Sequence, residues 1–218
     1  SLLSVIEQVN LSLSRFAQDL ILWTMPEFGY FTLPAELTTG SSIMPQKRNP
    51  DGLELLRSRS ARVSGWARSL ADITRSLPSG YNRDFQDTNK PVLQSTRTGM
   101  TCVLIAERTV QGLVPQPHKL KAAFAPDVYA TDVALEKVAS GMSFRDAYRE
   151  TAAELESLSG REPVEASLSR THSGAAGNLG LDMLEQEVHA LSDDIAAEEA
   201  RIDNRVSDLM GQEVRLLS

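Results

Sequence analysis

The sequence predicts an all-α protein: an elongated bundle of long helices followed by a small carboxy-terminal helical domain. Three observations carry this. Apolar residues recur at steps of three and four over long stretches, the spacing that lines them up on one face of a helix. Three such stretches, at residues 2–25, 51–77 and 91–114, lie between Pro and Gly breaks. The alternating pattern of a half-buried strand is almost absent.

The first helix carries Leu2, Val5, Ile6, Val9, Leu13, Phe16, Ala17 and Leu20, and Ile21 to Trp23 widen its apolar face, so it is buried on more than one side. Pro26 and Gly29 end it. Residues 26–52 hold Pro26, Gly29, Pro34, Gly40, Pro45, Pro50 and Gly52, too many breakers for a helix. An irregular stretch of that length in a helical protein points to function. The second helix is expected from Asp51, as N-cap, to Leu77. Its seam is Leu53, Leu56, Val63, Trp66, Leu70, Ile73 and Leu77, with Arg57, Arg59, Arg62, Arg68 and Arg75 off it. Pro78-Ser79-Gly80 stops it, and Pro91 suits the first turn of the third helix.

Beyond Pro117 the elements shorten, with helices expected at 118–124, 131–140 and 144–158. Thr171 to Asn178 reads as a linker. A last helix carries Leu181, Leu184, Val188, Leu191, Ile195, Ile202 and Leu209 on one seam and acidic residues outside. That seam suits packing against a partner helix, with core packing within the chain as the default. The expected domains are therefore 1–115, a helix-bundle segment holding a distinctive loop at 38–51, and 116–218, the carboxy-terminal helical domain and terminal helix.

Composition narrows the function. At 218 residues the chain makes one or two domains, and 41% hydrophobic with 23% charged residues is an ordinary globular balance. The net charge of −7 argues against a nucleic-acid partner held by a basic surface. No apolar run approaches the roughly 20 residues that span a bilayer, so no membrane partner is expected. The start SLLSVIEQVN lacks a basic n-region, so no secretory signal is expected. A single cysteine, Cys102, rules out an intramolecular disulfide framework and a Cys-rich zinc module. It suits a reducing, cytoplasmic setting and reads as a small core residue. His118, His172 and His189 have no catalytic or metal-ligand spacing and read as surface or packing residues, so no metal site is expected.

The chemistry concentrates in Gly40-Ser41-Ser42-Ile43-Met44-Pro45-Gln46-Lys47-Arg48-Asn49-Pro50-Asp51. Physically this is a Gly-led loop with two hydroxyls, a Lys and an Asn, closing onto a helix N-terminus. Backbone amides, the helix dipole and a Lys together favour an anion such as a carboxylate or phosphate. A serine among such groups can be stabilised as an alkoxide and serve as base or nucleophile. From the residues alone, a capped helix behind a proline-shaped turn accounts for the same stretch equally well.

GSSIMPQKRNPD resembles the signature loop of the fumarase/aspartase superfamily, G-S-S-x-M-P-x-K-x-N-P, a match far more specific than a short motif. Gln46 and Asp51 resemble its argininosuccinate lyase branch. So do Leu13 to Trp23, Gly80-Tyr81-Asn82-Arg83-Asp84-Phe85-Gln86, Ala130-Thr131-Asp132 and Ser143 to Ala147. The resemblance implies the superfamily's long-helix bundle and a carbon–nitrogen lyase that splits argininosuccinate into arginine and fumarate by β-elimination, without metal or organic cofactor. It implies that Ser41 is the catalytic base. Lys47 and Asn49 would bind the substrate carboxylate and stabilise the aci-carboxylate formed on proton loss. Glu54 would orient a histidine of another subunit. Tyr81, Gln86 and Lys90 would contact substrate. Ser42 lies beside the substrate, the less favoured base, with backbone bonding in the loop as its simplest role.

The implied partners are a small-molecule substrate, further copies in a homotetramer whose active sites draw on three chains, and the amino-terminal half of the same enzyme. This last follows because superfamily chains are roughly twice as long, and this one does not begin with Met. Two positions depart from the family pattern: Asn89 stands where its Lys is usual, with Lys90 next, and Tyr148 stands for a His, a change expected to affect packing. Asn89 leaves open a superfamily lyase for a different succinyl adduct. A non-catalytic, crystallin-like or fragment helical protein is the alternative of another class.

Overall fold

The computed structural model describes residues 2–155, 158 and 162–215. The chain divides into two compact units, residues 1–123 and 124–218. In the first, α1 (Leu2–Thr24), α2 (Asp51–Thr74) and α3 (Asn89–Gly112) pack on one another. Their buried residues follow helical spacing: Leu3, Asn10, Ala17 and Leu20 on α1, and Leu53, Leu56, Ser60 and Val63 on α2. On α3 the buried face is small throughout, with Ser95, Gly99, Cys102 and Ala106. Small side chains let the helices approach closely; a Cβ at Gly99 would crowd Ile6 and Asn10 of α1. Ala17, Leu20, Leu53, Leu56, Cys102 and Ala106 form the core cluster. Burial pushes the Cys102 thiol above its usual range, with Arg59 and a bond to Ser60 opposing. A raised thiol is unreactive.

The helix borders differ slightly from those the pattern predicts. Asp51 is the first residue of α2 and not its cap, because its carboxylate instead accepts a 2.5 Å hydrogen bond from Thr39 Oγ1. α2 ends at Thr74, whose hydroxyl turns back to the Leu70 carbonyl at 3.1 Å. α3 begins two residues before Pro91. Two antiparallel pairs of two-residue strands lie within and after the irregular segment. β1 (Phe31–Thr32) pairs with β4 (Val114–Pro115), and β2 (Thr39–Gly40) with β3 (Arg48–Asn49). Strands this short have no alternation to detect. After β4, α4 (Pro117–Ala122) stays with the first unit.

In the second unit α5 (Ala130–Ala139) packs on α6 (Phe144–Ala153) over Ala134, Ala147 and Thr151. Tyr129, 3% exposed, stacks on Phe124 at 6.2 Å. Ser143 caps α6, its Oγ accepting from the Asp146 amide and donating to the Asp146 carboxylate. α6 ends at Ala153; residues 156–157 of the expected continuation lie outside those described. Tyr148 is 62% exposed, so it does not pack this unit's core. α7 (Pro163–Leu168) is capped by Glu162, which accepts from the amides of Val164 and Glu165. Arg170 forks onto Asp132 at 3.0 and 2.7 Å, and that bond raises its pKa. Lys137 bridges Glu150 at 3.0 Å and Glu154 at 3.2 Å.

Two expectations need correction. Residues 171–178 are not a linker but a closed turn. Gly174 N donates to Asn178 O, Asn178 N to Ala175 O, and Asn178 Nδ2 to Thr171 O, and Ala175 is buried. The seam of α8 (Leu181–Met210) does not form a core with the described residues of its own unit. Leu181, Leu184, Val188, Leu191, Ile195 and Leu209 are each at least 50% exposed. The period fixes which residues share a face, but not whether anything covers them.

Leu56→Ala, which empties a fully buried site, should cost about 2–5 kcal/mol in denaturant unfolding followed by far-ultraviolet circular dichroism. Asp132→Asn, which removes the charge partner of Arg170, should lower the stability of the second unit by about 1 kcal/mol. Adding Arg170→Ala should then cost little more, measured as a double-mutant cycle.

Candidate active site

The signature loop is the tip of the β2–β3 hairpin. Thr39 lies opposite Asn49, and Gly40 opposite Arg48, so residues 41–47 form the connection. The Lys47 amide closes a turn on the Met44 carbonyl at 3.0 Å. At the base, the Thr39–Asp51 bond ties β2 to the first turn of α2. Within the first two turns of α2, Leu53 and Leu56 anchor the whole assembly in the core.

Ser41 Oγ accepts hydrogen bonds from the backbone amides of Ile43 at 3.2 Å and Met44 at 3.1 Å. Amides aimed at an oxygen favour its anionic form, which is the electrostatic condition for a serine base. The backbone-bonding role expected of Ser42 thus falls to Ser41. Ser42 is exposed, with no hydrogen bond among the described residues.

Lys47, Asn49 and Glu54 line one cleft of about 1010 Å³, together with Gln46 and Arg48. The same cleft is lined by Met25 and Gly29, which follow α1, and by Phe31 and Thr32 of β1. Gln116 and Lys119 complete it. Ser41 stands on the same hairpin but does not line this cleft. No ion pair is recorded for Lys47, Arg48, Lys119 or Glu54 among the described residues. His118, His172 and His189 are exposed and none lines the cleft. Among the described residues no three His, Cys, Asp or Glu side chains are grouped to hold a metal.

Tyr81, Gln86 and Lys90 are elsewhere. The 24 residues of α2 correspond to about 36 Å of helix. The loop sits at its amino-terminal end, whereas Tyr81 and Gln86 follow its carboxy-terminal end. Gln86 lies in the 3-10 turn Arg83–Thr88, Asn89 and Lys90 open α3, and all are exposed. One copy of this chain therefore keeps the two groups of residues apart. Gln116 and Lys119, by contrast, escape the sequence reading. They reach the cleft only because β4 pairs with β1, and a two-residue strand leaves no signal.

Residues 1–65 match the profile of a family described as lyase. An argininosuccinate lyase of Xanthomonas campestris pv. campestris (strain B100) is 43% identical over 183 residues, 84% of this chain and 42% of that one. One of Xylella fastidiosa (strain 9a5c) is 39% identical over 191 residues, 87% of this chain and 43% of that one. Among solved structures, the fumarate lyase:delta crystallin of Brucella melitensis, bound to cobalt, superposes with a TM-score of 0.54 at 25% identity, over 78% of this chain and 36% of that one. The 3-carboxy-cis,cis-muconate lactonizing enzyme of Pseudomonas putida, at 20% identity and TM-score 0.58 over 80% of this chain and 40% of that one, shares the fold. The lyase profile over residues 1–65, the signature loop and the helix bundle together make the lyase family the one this chain resembles. Within that family its sequence is similar to argininosuccinate lyases, and it spans about 42% of the length of those it matches.

Thr39→Val removes the donor that pins β2 to Asp51. The amides of Ile43, Met44, Gln46 and Lys47 should then exchange hydrogen about fivefold faster, the equivalent of ~1 kcal/mol of local stability. Exchange in the middle of α2 should stay unchanged.

Proposed function

We propose that this chain contributes to an argininosuccinate lyase, splitting argininosuccinate into arginine and fumarate in arginine biosynthesis. The observation that carries the proposal is the signature hairpin, in which two backbone amides face the Ser41 hydroxyl and the same loop turns Lys47 and Asn49 into a cleft. Ser41, as its alkoxide, takes a proton from the carbon beside a carboxylate of the succinyl group. The electron pair left on carbon spreads into that carboxylate, giving an aci-carboxylate dianion that Lys47 and Asn49 stabilise. Its collapse expels the guanidino nitrogen and forms the double bond of fumarate. The departing nitrogen gains a proton, so overall one proton moves from carbon to nitrogen.

The catalytic unit in this reading is an assembly. Lys47 and Asn49 stand about 36 Å of helix away from Tyr81, Gln86 and Lys90, so each site takes the loop of one copy and the substrate-loop residues of another. Ser42 lies beside the substrate. Glu54 faces the cleft without a histidine of its own chain among the described residues, which suits a histidine supplied from another subunit. Outward apolar residues on all three long helices, among them Leu2, Val5, Leu55, Leu93, Met100 and Val110, suit burial between copies, and a homotetramer is the form proposed. A cytoplasmic setting belongs to the same reading.

The test is fumarate release from argininosuccinate by the assembled enzyme containing this sequence, followed by ultraviolet absorbance. Ser41→Ala should lower kcat about a hundred- to ten-thousandfold with the fold retained. An unchanged rate would remove Ser41 from the role of base. Turnover of another succinyl compound and not of argininosuccinate would assign the difference to the Asn89 position.

A further inference from the structure

We infer that Lys119 is a specificity residue of the cleft, recognising a second carboxylate of the bound molecule. The inference rests on the reading of the loop as a carboxylate cradle and adds to it the group that distinguishes a dicarboxylate from a monocarboxylate.

Lys119 is held in place by a chain of local contacts. β4 pairs with β1, the Gln116 amide donates to the Tyr30 carbonyl at 2.8 Å, and Gln116 Nε2 donates to Thr32 Oγ1 at 3.1 Å. α4 follows at once and carries Lys119 over Gly29, a glycine with φ +58° in the turn that follows α1. A Cβ there would run into the Lys119 side chain and ammonium. The lysine stem therefore lies on bare backbone, and its ammonium lies at the cleft wall. It is half-buried, with no carboxylate partner among the described residues.

The charges of the cleft are unbalanced. Lys47, Arg48 and Lys119 face a single carboxylate, Glu54. A cation taken partly out of water without a counter-ion is unfavourable unless a ligand supplies the charge. Lys47 and Asn49, both on the hairpin, suit one carboxylate. Lys119 lines the same cleft from a separate element, α4, so its charge is available to a second carboxylate of a short dianion. A monoanion of the same length would leave it unmatched, and the difference in affinity is the selectivity.

The experiment compares fumarate with crotonate, which keeps one carboxylate and replaces the other by a methyl group. Both are titrated into the full 218-residue chain, with binding read from amide chemical shifts. The wild type should bind fumarate more tightly than crotonate. Lys119→Met should weaken fumarate about tenfold, the worth of one charge-assisted hydrogen bond, and leave crotonate unchanged. Lys119→Arg should restore the preference, which a merely structural role for the stem would not require. Lys47→Met should weaken both ligands. A wild type without preference for fumarate, or a Lys119→Met chain that loses both ligands equally, overturns the proposal. If Lys47→Met leaves fumarate binding intact while Lys119→Met abolishes the preference, the cradle reading fails and the Lys119 assignment stands.

Discussion

Everything at the loop depends on the burial of Leu53 and Leu56 in the first two turns of α2, against Ala17 and Leu20 of α1 and Cys102 and Ala106 of α3. These residues follow the signature loop almost immediately in sequence. The same packing that closes the bundle therefore fixes where β3 ends, where the hairpin projects and which way Lys47 and Asn49 are carried. The small face of α3 makes this possible, since larger residues at Gly99 or Ala106 would hold the helices apart. Rigid helices carrying an irregular, polar hairpin are a common division of labour, in which the scaffold supplies precision and the loop the chemistry.

The length of α2 has a second consequence. A 24-residue helix separates the residues that flank it at either end by far more than the size of any small substrate. A chain built this way holds Lys47 and Asn49 apart from Tyr81 and Gln86, and the proposed site meets that constraint by drawing on more than one copy. The outward apolar residues of α1, α2 and α3 fit the same economy of design, because surface that does not pack within the chain is available between chains. The seam of α8 is exposed for a related reason. Its heptad spacing marks a face that suits a partner helix, and no such helix covers it among the described residues of the second unit.

Much of the molecule was legible in the residues. The long helices follow from apolar spacing, the breaks from Pro and Gly, and the importance of residues 40–51 from their match to a long signature motif, since capping and turn chemistry account for the stretch equally well. What escaped was of one kind. β1 and β4 are two residues each, and they bring Gln116 and Lys119 to the cleft from a part of the chain that reads as a connector. Asp51 looked like a helix cap because it precedes an apolar run, but a nearby Thr39 competes for its carboxylate. Thr171 to Asn178 looked like a linker because Gly, Ser and Asn are shared by flexible and tightly turned backbone. Only the hydrogen bonds distinguish the two.

By itself, then, the sequence determined the helical class, the order of the elements and the loop that holds Ser41, Lys47 and Asn49, because periodicity, breakers and a long specific motif are local properties of the chain. The tertiary structure alone decided which residues share a cleft. Ser41 faces two amides beside it and Ser42 does not, Lys119 faces the same space as Lys47, and Tyr81 and Gln86 stand at the far end of α2. The physical reason is that proximity across a bundle depends on helix length, close approach and the pairing of short strands, none of which leaves a periodic trace in the residues themselves.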